Sequence, residues 1–198
     1  MTRAWINFAI LIFATLFFLY FYMLSVSPAA MEKTMGPQAY PKCARYRLVA
    51  ILFEMITLVN YLLYLVYPLP SSLPERFPWS WWVSVGIAAV IGVPTMILMF
   101  VGLKDAGKEA LIPKKAHLMF GGIYTKIRHP QAAAGVFGWL WIAFLLNSPF
   151  LVAFSFVYFP VFLIMCWAEE SDLLIRHGDS YAEYCKATGS FMPKRNRR

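Results

Sequence analysis

Five long apolar runs, at about residues 4–26, 48–67, 79–103, 132–146 and 150–168, constrain this chain more than any other feature of it. A helix of about 20 residues covers a hydrocarbon core ~30 Å thick. The first, second, third and fifth runs reach that length, so each is read as a membrane span. The fourth, at about 15 residues, either recruits its flanks or stops short of the far face. With 60% hydrophobic and 14% charged residues, the composition lies outside the range of ordinary soluble domains. The expected fold is all-α: a polytopic integral membrane protein with five transmembrane helices. Ser25-Val26-Ser27 would suit a signal peptidase, but the run before it exceeds the roughly 7–15 residues of a signal core, so it is kept as a span.

Five spans put the two chain ends on opposite faces, and the 18 basic residues divide unequally between those faces. Arg3 and Arg76 fall on the first face and all the others on the second. Cytoplasmic loops keep Lys and Arg, which predicts the N-terminus outside, the C-terminus in the cytoplasm and the chain in the cell membrane. The net charge of +8 is then matched by membrane lipids of the anionic inner leaflet and requires no nucleic acid.

Spans four and five are joined only by Asn147-Ser148-Pro149, so they form a tight antiparallel hairpin. That turn brings Arg128-His129-Pro130, ahead of the fourth span, near Glu169-Glu170, behind the fifth. Each motif has two readings. Arg128 is either a headgroup anchor, with Pro130 an ordinary helix opener, or part of a site in which the free N–H groups of a helix start receive a carboxylate. Gly121-Gly122 would let backbone approach such a ligand closely. Carboxylates in the last turn of a helix oppose its dipole by roughly 0.3–1 kcal/mol each. Glu169 and Glu170 are therefore either paired with Arg128 or Arg176, or accept hydrogen bonds from an amine or ribose hydroxyls. Tyr124, Tyr181 and Tyr184 are belt aromatics or faces for a cation or an adenine ring. Glu54, inside the second span, is a functional candidate or a snorkelling acid.

Other chemistries find little purchase. Cys43, Cys166 and Cys185 are widely spaced, and His117, His129 and His177 have no ligand spacing, so no metal site is expected. The glycines contain no G-x-G, which removes a Rossmann nucleotide site.

The ordered set Leu118, Gly122-Ile123-Tyr124, Arg128-His129-Pro130, an apolar helix, a short turn, a second helix ending Glu169-Glu170, Leu173, then Gly178, Tyr181, Tyr184 and Pro193 resembles the isoprenylcysteine carboxyl methyltransferase and phospholipid N-methyltransferase family. The likeness is nearest to a prokaryotic, archaeal-type isoprenylcysteine enzyme and covers about residues 104–194. It implies a methyltransferase that takes its methyl group from S-adenosylmethionine and releases S-adenosylhomocysteine. Residues 1–103 would be a three-helix membrane region. Residues 104–198 would be the catalytic region, its cofactor pocket made of the cytosolic loop, the hairpin and the tail. Carried over by position, the cofactor contacts are Leu118 and Met119, Tyr124, His129, Pro130, Gln131, Ala132 and Glu169. His117 stands one place from the family's histidine position, which holds Ala116 here. Ala132 replaces a frequent tyrosine. Met165 occupies the place of a substrate-facing arginine. A lipophilic acceptor would enter from the bilayer.

Methyl transfer from a sulfonium is an in-line displacement that asks mainly for alignment and exclusion of water. A carboxylate acceptor needs no general base, whereas an amine would lose a proton to His129 or a glutamate. The alternatives are a phospholipid ethanolamine N-methyltransferase and a sterol-type membrane reductase using NADPH, whose C-terminal hairpin also carries an Arg-His-Pro. A small transporter is set aside because few polar residues occupy the middle of the spans.

Overall fold

A computed structural model describes residues 1–113, 115 and 121–194. Its α-helices are α1 (Thr2–Ser25), α2 (Pro28–Met35), α3 (Ala39–Leu63), α4 (Trp81–Ala106), α5 (Pro130–Leu145), α6 (Pro149–Ser155), α7 (Tyr158–His177) and α8 (Asp179–Ala187). Single 3-10 turns lie at Gly36–Gln38, Gly107–Ala110 and Gly122–Thr125. Among the described residues the only strand-like pairing is an isolated parallel bridge between Ile127 and Gly189.

Four helical stretches are long and apolar enough to cross a membrane: Thr2–Ser25, Pro28–Leu63, Trp81–Ala106 and Pro149–His177. Their outward faces carry Trp5, Phe13, Leu52, Val90, Phe100 and Trp167 in the open. So wide an apolar surface suits lipid better than water. The expected fourth span is the exception. α5 has 16 residues, a length of ~24 Å, and falls short of a full crossing.

The expected fifth span departs further, being two helices with a break at Phe156 and Val157. Pro160 explains the break, because its ring meets the carbonyl of the residue four places back, Phe156, and it offers no N–H to that carbonyl. α7 then runs nine residues past the expected end at 168, turning Asp172 inward, where its carboxylate accepts the Ala30 N–H at 2.9 Å. Nor is the stretch between the first two spans the loop that its charges imply. It folds as α2, with Pro28 at its first turn, and as the opening turns of α3, which begins nine residues before the expected start at 48.

α1 lies along α3, α4 along α5, and α7 touches α1, α2 and α5. They meet at a buried aromatic joint. The Tyr61 hydroxyl reaches the carbonyls of Trp139 (3.1 Å) and Leu151 (3.0 Å), while Trp139 stacks on Tyr158 with centroids 4.3 Å apart. Ser148 caps α6 through the Leu151 N–H, and Asn147 turns the chain at φ 55°. The basic segments gather at one end of the bundle: Lys115 pairs with Glu32 at 2.9 Å, Arg47 bonds Ala110, and Arg176 lies over Tyr40.

Candidate functional site

α5 opens as its sequence dictates, with Pro130 at the first helical position and His129 as the residue before it. What aims the preceding residues is the tail. The Arg128 N–H donates to Gly189 O (2.8 Å) and the His129 N–H to Ser190 O (3.0 Å). The Arg128 guanidinium then donates to Glu170 Oε1 at 2.8 Å and to the carbonyls of Cys185 and Thr188. With 12% of its side chain exposed and three protein partners, Arg128 is a clamp and not a headgroup anchor.

The imidazole of His129, buried, sits between the two glutamates. Nε2 is 2.7 Å from Glu170 Oε1 and Nδ1 is 3.7 Å from Glu169 Oε2. Burial works against its charged form, but hydrogen bonds to Cys166, Glu169 and Glu170 outweigh burial and raise its pKa to about 11. His129 is thus an imidazolium at neutral pH. It cannot serve as the proton acceptor for an amine, and both of its ring nitrogens are directed at carboxylates instead of a ligand.

Glu169 faces a cavity of about 300 Å³. Tyr124, His129, Pro130, Gln131, Ala132, Met165 and Glu169, all expected at the site, line it together. His117, Leu118 and Met119 lie outside the described residues. Tyr124 is held by its hydroxyl, which accepts from Gln131 Nε2 (3.0 Å) and reaches Gly102 O (3.3 Å). Burial, and then the charge of Glu169, hold the Tyr124 hydroxyl above the usual tyrosine range. The apolar wall is made by Phe18, Ala50, Met99, Leu103 and Phe162.

Three expectations change. The cavity takes walls from α1, α3 and α4, so it crosses the division expected at residue 103. Among the described residues, none after Glu169 lines it. Tyr184 donates to Tyr124 O at 2.6 Å, and the buried Tyr181 packs beside Tyr184, so both brace the site from behind. Gly122 admits no ligand either. It takes φ 58° and the Asp105 carboxylate occupies the place of its missing side chain, accepting the Ile123 N–H at 2.7 Å.

Arg47 escaped the sequence reading. It sits in the cavity wall, and its only signal was the spacing Arg47, Ala50, Ile51, Glu54, one face of a helix that had been started at residue 48. Among the described residues no group of three His, Cys, Asp or Glu is placed to hold a metal ion. Comparisons with protein-family models, with curated proteins and with solved structures give no match.

Proposed function

We propose that this chain is a membrane methyltransferase that uses S-adenosylmethionine on a lipophilic acceptor, as the resemblance implies. One observation supports the reading above the others: a half-buried, mutually bonded set of two cations and two carboxylates borders a cavity that also has a helix start and an apolar wall. The donor set suits the cofactor. The first N–H groups of α5, at Gln131 and Ala132, have no partner inside their own helix and face a ligand carboxylate favourably. Glu169 suits an ammonium or ribose hydroxyls. Met99, Leu103 and Phe162 suit an aromatic base.

When bound, the cofactor supplies an electrophilic methyl group on sulfur. The chain supplies position and dryness. His129 and Arg128 fix the two carboxylates, so Glu169 needs no rearrangement to receive a cationic group. The wall of α1, α4 and α7 excludes water from the reacting pair. Because His129 is already protonated, the site favours an acceptor that needs no base, such as the carboxylate of an isoprenylcysteine, over an ethanolamine nitrogen. NADPH fits less well: it is bulkier than a single nucleoside, and Arg128 and His129 are already committed to glutamates rather than to a phosphate. The basic end of the bundle is proposed to face the cytoplasm, which places the site there.

Calorimetry with S-adenosylhomocysteine tests the reading. Glu169→Ala and His129→Ala should each weaken binding by about tenfold or more, in protein whose unfolding midpoint shows it folded. Unchanged affinity in both folded variants rejects this cavity as the cofactor site, and a midpoint raised by NADPH alone would favour the reductase.

A further inference from the structure

The charges around the cavity are not all paired in contact. Arg128 and His129 are cancelled by Glu170 and Glu169 within one bonded set. Arg47 is left over. It is only 9% exposed and lines the same cavity. Its Nε donates to Ser25 Oγ at 3.1 Å and its Nη1 to Ala110 O at 2.8 Å, while its guanidinium lies 5.1 Å over the Tyr22 ring. These partners are neutral, and they use two of the five N–H donors of a guanidinium. A buried charge is costly unless it is paired at contact, and the open side of this guanidinium, with donors unused, is the cavity.

We infer that Arg47 is the anion-recognition residue of the cavity and binds a carboxylate of its ligand. The inference rests on the proposed function for the identity of that ligand. The fork geometry of a guanidinium matches a planar carboxylate. Ser25 and Ala110 hold the side chain from α1 and from the turn after α4, so its remaining donors are oriented before a ligand arrives. Further along the same face of α3 come Ala50, Ile51 and, two turns or ~10 Å on, Glu54. A molecule anchored by its carboxylate at Arg47 therefore has an apolar track beside it. Two ligands carry such a group: the cofactor, through its amino acid part, and a carboxylate methyl acceptor.

Two matched pairs separate the sources. One is S-adenosylhomocysteine with its decarboxylated analogue; the other is a farnesyl thioether carboxylic acid with its carboxamide, titrated into full-length protein in lipid nanodiscs. The wild type should prefer the acid in one pair by about tenfold or more, and the pair that shows the preference names the source. Arg47→Gln, which keeps a donor at the Nε position for Ser25, should remove the preference by weakening the acid alone, and Arg47→Lys should retain part of it. A wild type that discriminates in neither pair overturns the inference without any variant. So does an Arg47→Gln protein in which acid and neutral partner weaken together, the mark of a packing role. Failure of the wild type to bind S-adenosylhomocysteine sinks the cofactor reading instead, and a surviving preference for the farnesyl acid would leave Arg47 standing by itself.

Discussion

His129 shows how one side chain can tie protonation to integrity. Its pKa rises from 6.5 to about 11, so the folded chain holds a proton that the unfolded chain releases near neutrality. The stabilisation from its pairs with Glu169 and Glu170 is complete below pH 6.5 and is lost as pH climbs through 11. The gap in unfolding midpoint between wild type and His129→Gln should therefore narrow steadily between pH 6.5 and 11. A gap that stays constant over that range contradicts the charged pair. Gly122 makes a second, purely steric case. An alanine there meets both the positive φ and the Asp105 carboxylate, and should cost about 1–3 kcal/mol in unfolding free energy. Asp105→Ala in the same chain should recover only the part due to the collision. Full recovery would mean that backbone conformation contributes nothing.

Among the elements, the joint of α3, α5 and α6 hangs on one hydroxyl. Tyr61→Phe keeps the ring against Trp139 but removes the bonds to two buried carbonyls, and should destabilise by roughly 0.5–1.5 kcal/mol in thermal or denaturant unfolding. No loss would show that those carbonyls are satisfied within their own helices. The meeting of Arg128-His129 with Glu169-Glu170 was legible in the sequence, because three residues between two helices leave no choice but to fold back. The role of Arg47 was not. Charges at 33, 42, 45 and 47 look like a polar loop when counted, yet a helix started at Ala39 turns the last of them inward. The break at Phe156 was readable in principle from Pro160, but a run of apolar residues hid it, since hydropathy measures burial in lipid and not backbone continuity. The bracing by Thr188 to Ser190 had no sequence signal, as it depends on main-chain groups alone.

The whole molecule is a bundle of unequal lengths. α5, at ~24 Å, is shorter than a ~30 Å hydrocarbon core, although α4 beside it has 26 residues. Such mismatch is absorbed by thinning the bilayer locally, at a fraction of a kcal/mol per Å. The unfolding midpoint should accordingly be higher in vesicles of sixteen-carbon acyl chains than in those of twenty-two, and independence from chain length would imply that protein and not lipid covers the end of α5. Residues 185 to 190 do not line the cavity, yet they hold the arginine that orders one glutamate and the backbone that presents the histidine. A shift of that short stretch therefore reaches the pocket with none of the pocket's own side chains altered, as slack handed from main chain to guanidinium and imidazole.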